Sequence, residues 1–130
     1  MGQEYLLDTN VIIDFSALKL PEKAYEQLSA IIDSFPQISI INKIELLSIS
    51  EVPEQILAFV DEAYVIKLDD DIVSKTIEIR RKYRIKLPDA IIAATAVIMK
   101  LHLITHNVSD FKGIKGLKLI DPYTQFNKYF

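Results

Sequence analysis

The chain has 130 residues, half of them hydrophobic and a quarter charged, with a net charge of −3 at neutral pH. That length supports one domain with a substantial core and excludes two of ordinary size, so residues 1–130 read as a single domain. The acidic balance excludes nucleic-acid binding by bulk positive charge alone, and the lack of cysteine excludes a disulfide framework and a thiol nucleophile.

The start, Met1-Gly2-Gln3-Glu4, has no basic segment followed by a long apolar one, so no export signal is expected and a cytoplasmic location is. Glu4 to Leu7 reads as a short strand ending at Asp8. Asn10 to Phe15 then begins a helix, with Thr9 or Asn10 as its cap. A second helix follows Pro21, because Ala24, Leu28, Ile31 and Ile32 recur at helical intervals. Gln37 to Ile41 is a β-branched run suited to a central strand, and Asn42 caps the next helix, which carries Glu45. Pro53 opens a helix holding Ile56, Leu57, Phe59 and Val60, and Tyr64 to Leu68 returns as a strand.

Asp69, Asp70 and Asp71 open a helix running to about Tyr83. They lack the spacing and glycine of a calcium loop, which favours helix capping over metal binding. Pro88 and Asp89 suit the first turn of another helix, ending near Lys100. Its apolar stretch, Ala90 to Met99, falls well short of the ~20 residues of a membrane span, so no membrane association is expected. Leu103 to Thr105 and Leu117 to Ile120 close the pattern as strands. Alternating strands and helices predict a three-layer α/β/α sandwich with a mainly parallel central sheet.

Sites in such sheets lie beyond the carboxyl ends of the strands. Asp8 ends the first strand, Glu45 lies one turn into the helix after the second, and Asp110 lies in the loop after Leu103 to Thr105. Asp89 joins them if its helix points at the same cleft. Carboxylates gathered this closely repel one another, and a hard divalent cation, Mg²⁺ or Mn²⁺, is the agent that offsets this. Zinc would have to rely on His102, His106 and carboxylates. Thr9 and Asn10 are placed to orient Asp8, while Thr105 and Asn107 form a polar cluster at the other strand end.

Each feature also has a plainer reading. Asp8 and Asp110 suit turns, Glu45 suits an exposed helix face, and Asp89 suits a helix N-terminus through the macrodipole. Asp14 can face the cleft or solvent. The basic stretch containing Arg80, Arg81 and Arg84 suits contact with a nucleic-acid phosphate backbone and equally a solvated helix end. Ala90, Ala93, Ala94 and Ala96 suit close helix packing in a core or dimer.

Taken in order, Asp-Thr-Asn-Val-Ile-Ile-Asp (8–14), Ile-Glu-Leu-Leu (44–47), Leu-Pro-Asp-Ala-Ile-Ile-Ala-Ala (87–94) and Leu-Ile-Thr-His-Asn-Val-Ser-Asp-Phe (103–111) resemble the PIN domain, in particular the VapC toxins of type II toxin–antitoxin operons. The resemblance covers essentially the whole chain. It implies a Mg²⁺- or Mn²⁺-dependent endoribonuclease, a homodimer and a VapB-like antitoxin partner. It makes Asp8, Glu45 and Asp89 an acidic triad and Asp110 the more variable fourth acidic position, with Thr105 and Asn107 as polar neighbours. His106 receives no catalytic part. A PIN nuclease of RNA processing or decay without an antitoxin and a noncatalytic RNA-binding module are the alternatives. A phosphotransfer domain is disfavoured because no Gly-rich phosphate loop follows any strand.

Overall fold

The structure is a computed structural model and describes residues 4–124. Most of the start read at Met1–Glu4 and both ends of the 1–130 span lie outside the described residues. In chain order the elements are β1 (Tyr5–Leu7), α1 (Thr9–Ser16), α2 (Glu22–Ser34), β2 (Gln37–Ser39), α3 (Ile40–Leu47), α4 (Glu54–Glu62), β3 (Tyr64–Ile66), α5 (Asp70–Lys82), α6 (Leu87–Met99), β4 (His102–Ile104), α7 (Val108–Phe111) and β5 (Lys118–Ile120). No helix among them is long and apolar enough to cross a membrane.

All strand pairs are parallel, as the alternation predicts. β4 lies between β1 and β5, with Leu6 opposite Leu103 and Leu103 opposite Leu119. β2 pairs with β3, Ile38 opposite Val65. The backbone ladders form two sheets, β1-β4-β5 and β2-β3. β2 nevertheless packs beside β1, and the buried Gln37 side-chain amide donates to the Tyr5 carbonyl at 3.4 Å. A side chain thus occupies the seam where a continuous sheet would place a backbone bond.

Strand side chains alternate between faces, which builds a core on each side. Tyr5, Leu7, Ile38 and Ile104 pack with Val11, Ile12, Leu28, Ile56 and Val60 from α1, α2 and α4. Leu6, Leu103 and Ile66 pack with Ile72, Ile79, Ala90, Ala93 and Phe111 from α5, α6 and α7. These are the two outer layers of the α/β/α sandwich. The four-residue connection after α5 turns the chain directly into α6, and these two helices form the most extensive helix–helix contact. In α6 every residue from Ala90 to Ala96 is buried, and its four alanines let neighbouring backbones approach closely.

Several boundaries differ from the sequence expectations. Asp8 itself caps α1 and accepts from the Thr9 N–H, so neither Thr9 nor Asn10 is the cap. β2 ends at Ser39 rather than Ile41, because Ser39 and Asn42 form a reciprocal capping box that starts α3 at Ile40. Asn42 therefore lies three residues inside the helix. Asp69 caps α5 through Ile72 N–H at 2.8 Å, which is the expected role of that acidic run. The short α7 was not anticipated. Gly113 and Gly116 then take φ of +88° and +87°, a region open to glycine, as the chain returns to β5.

Candidate active site

The carboxyl ends of β1, β2 and β4 converge on Asp8. Its backbone N–H continues the ladder by donating to Ile104 O at 3.0 Å, which fixes the Cα, and its side chain is only 5% exposed. Four neutral donors hold the carboxylate. Thr9 N–H (2.9 Å) and Asn42 Nδ2 (3.2 Å) bind Oδ1, while Thr105 Oγ1 (2.8 Å) and Asn10 Nδ2 (3.2 Å) bind Oδ2. Burial raises the Asp8 pKa, and these hydrogen bonds pull it back only in part.

Around this carboxylate the polar groups are themselves braced. Thr105, fully buried at the end of β4, accepts from the Asn107 N–H at 3.1 Å. Asn10 Oδ1 accepts from the His106 N–H at 3.0 Å, which turns the Asn10 amide nitrogen toward Asp8. Thr9 Oγ1 donates to Glu45 Oε1 at 2.6 Å and links the first two carboxylates. Asn42 Oδ1 accepts from the Ser39 N–H and hydroxyl, each at 2.9 Å. Its NH₂ must then point at Asp8 Oδ1 and Thr9 Oγ1.

Glu45 lies one turn into α3, Asp89 in the first turn of α6 and Asp110 in the first turn of α7. The fold brings them to one place: the Asp89 pKa is raised by burial first and then by repulsion from Asp8, Asp110 and Glu45, with Lys86 offsetting part. Among the described residues no ion pair neutralises any of the four. Asp110 and Asn107 are exposed, and Asn107 joins the network through its backbone. Arg80, Arg81 and Arg84 are exposed near the end of α5. Arg80 Nη1 is spent on the Ile85 carbonyl at 2.8 Å, bracing the turn into α6. Asp14 accepts from the Tyr123 hydroxyl at 2.9 Å and makes no hydrogen bond to the carboxylates.

The residue that sequence reasoning missed is Asn42. Its place three residues after a strand-ending serine signalled a capping box, but one side chain here caps the helix with its oxygen and supports Asp8 with its nitrogen. Uncompensated negative charge and all-oxygen donors fit a hard divalent cation. Among the described residues no group of three or more acidic or histidine side chains is placed to hold a metal ion together. Mg²⁺ does not need one, since it keeps several waters and binds through one or two carboxylates.

A parallel α/β fold with carboxylates gathered at its strand ends defines the class, and the chain belongs to the PIN domain family, which matches residues 5–117. PIN domains are generally nucleases that depend on divalent metal ions. Among solved structures, a toxin–antitoxin complex from Klebsiella pneumoniae is similar at 30% identity, with a TM-score of 0.73 and coverage of 92% of this chain and 98% of that one. DNA-bound VapBC from Salmonella typhimurium is similar at 27% identity, TM-score 0.73, with the same coverage. VapBC2 from Rickettsia felis, bound to a promoter DNA fragment, is similar at 25% identity and TM-score 0.72, covering 91% and 98%. Comparison with curated protein sequences gives no match.

Proposed function

We propose that residues 1–130 form one nuclease domain that hydrolyses RNA phosphodiester bonds with Mg²⁺ or Mn²⁺, as the VapC-like toxin of a pair with a VapB-like antitoxin, in the cytoplasm. The observation that carries this reading is the buried Asp8, held by four neutral donors with no cation, beside Asp89, which feels Asp8 and two further carboxylates, Asp110 and Glu45. Asp8, Glu45, Asp89 and Asp110 would hold the ion. When bound, Mg²⁺ or Mn²⁺ supplies a more acidic water and neutralises phosphate charge.

The chain's own residues set the geometry. Thr105, Asn10, Asn42 and the Thr9 N–H fix both oxygens of Asp8, and the Thr9 hydroxyl fixes Glu45. Preorganised groups do not have to reorient during reaction. Water adds to phosphorus as the bond to the 3′-oxygen breaks, giving 5′-phosphate and 3′-hydroxyl ends, and the 2′-hydroxyl is not the nucleophile. The exposed Arg81 and Arg84, with Arg80 beside them, supply positive charge for the RNA backbone at the end of α5.

The similarity to toxin–antitoxin complexes supports an antitoxin partner. Its place on this chain is a groove of about 380 Å³ between α1, α2 and α4, lined by Ile12, Phe15, Leu18, Tyr25, Ile56 and Phe59. Such a groove takes the apolar face of an amphipathic segment. Exposed Ile44, Leu47, Val73 and Ile77 on α3 and α5 offer apolar surface to a second copy in a homodimer. Incubating the purified protein with mixed cellular RNA tests the nuclease reading. Cutting to 5′-phosphate ends in Mg²⁺ or Mn²⁺, stopped by EDTA, supports it; cutting unaffected by EDTA, or none by folded protein free of partners, rejects it.

A further inference from the structure

Beside the carboxylates, at the ends of β4 and β5, stands an aromatic pair that the nuclease reading leaves unused. The His106 side chain is 48% exposed, yet it is tied down on several sides. Its backbone N–H donates to Asn10 Oδ1, and Asn10 in turn binds Asp8. Its Nδ1 lies 3.2 Å from Asp121 Oδ1. The Tyr123 ring packs on it with centroids 4.2 Å apart and planes tilted by 43°. Tyr123 is fixed as well, its N–H on Asp121 Oδ1 at 3.0 Å and its hydroxyl on Asp14 Oδ2 at 2.9 Å.

Holding a half-exposed ring in one place costs side-chain entropy, and His106 is held there against Tyr123, which itself packs on the edge of the core. A prepaid, solvent-facing ring next to a strand-breaking site suits a planar ligand. The neighbouring charges select which part of RNA it takes. Asp14 and Asp121 lie against the two rings and repel a phosphate, whereas an uncharged nucleobase can stack there and offer amino groups to the carboxylates.

We propose that His106, held by Asp121 and backed by Tyr123, is a substrate-binding residue on which a base next to the scissile phosphate stacks. The proposal rests on the nuclease reading of the neighbouring site, but stacking is measured apart from cutting. The probe is a single-stranded RNA oligonucleotide with 2-aminopurine at successive positions, titrated into protein in Ca²⁺ buffer with fluorescence quenching as readout. Wild type quenches the probe. His106→Ala weakens binding about 5- to 150-fold, the range of base stacking on an aromatic side chain, and loses the quenching. His106→Phe, which keeps a ring but not the Asp121 contact, retains both.

Equal quenching and affinity in His106→Ala overturn the proposal. So does failure of His106→Phe to retain them in a protein that melts like wild type, because the imidazole then acts through its nitrogen and not its face. Absence of quenching in wild type overturns it too. Cleavage by wild type in Mn²⁺ is followed in parallel, so stacking without cutting sinks the nuclease reading alone and cutting without stacking sinks this inference alone.

Discussion

Asn42 supports the site and the fold with one side chain, so its replacement has a calculable cost. Asn42→Ala strips a donor from Asp8 Oδ1 and Thr9 Oγ1 and an acceptor from the Ser39 N–H and hydroxyl. A buried N–H left without a partner costs about 1–3 kcal/mol, and a lost hydrogen bond to a buried carboxylate about 1.5–3 kcal/mol. The two losses share one side chain, and water entering the gap recovers part of each, so about 3 kcal/mol is expected. For a chain of this size that lowers Tm by about 10 °C.

Asn42→Asp makes the complementary test. It keeps the acceptor for Ser39 but sets a second carboxylate oxygen where Nδ2 stands, 3.2 Å from Asp8 Oδ1. Like charges that close raise the pKa of the pair. A carboxyl whose folded pKa is raised contributes its stability at low pH and loses it as pH rises through the folded value. The Asn42→Asp defect therefore grows toward neutral pH, and divalent cation shrinks it. Circular-dichroism melts at several pH values, in EDTA and in Mn²⁺, measure both effects. Asn42→Ala melting within about 2 °C of wild type, or an Asn42→Asp defect independent of pH, would refute the reasoning.

Thr105→Val removes the 2.8 Å donor to Asp8 from a buried position and should cost about 1–3 kcal/mol in urea unfolding, with Thr105→Ser largely restoring it. Mn²⁺ should raise the Tm of wild type with the logarithm of its concentration once above the Kd and leave Asp8→Asn unmoved, as followed by scanning calorimetry. The Asp89 pKa is raised above its ordinary 3.8, so in metal-free protein its charge destabilises the fold progressively as pH rises above that value; Asp89→Asn should gain on wild type over the same window in paired melts. Light scattering should give a dimer for wild type and a monomer for Ile77→Glu, whose parent side chain is 53% exposed.

Much of the candidate site was legible because Asp8, Glu45, Asp89 and Asp110 each follow a recognisable strand end or helix start, and a parallel sheet collects those at one edge. Local patterns carried less about side chains that serve two elements. Ile38-Ser39-Ile40-Ile41 reads as strand from its β-branched residues, yet the Ser39–Asn42 capping box overrides that propensity and turns Asn42 toward Asp8. The seam between the two ladders is bridged by the buried Gln37 amide, which no periodicity encodes. Four-residue α7 is too short to show a helical period. The His106–Asp121 contact spans 15 residues and joins two strand ends that only the assembled sheet brings together.

The activity proposed for this carboxylate cluster is the cutting of RNA with a divalent ion. Its most direct test is cleavage of one RNA substrate by wild type and Asp8→Asn in parallel, in Mn²⁺ and in EDTA, with melting curves to show that both proteins are folded. Wild type should give 5′-phosphate products in Mn²⁺ alone, and folded Asp8→Asn should give none. Equal cutting by Asp8→Asn, or cutting by wild type in EDTA, would contradict it.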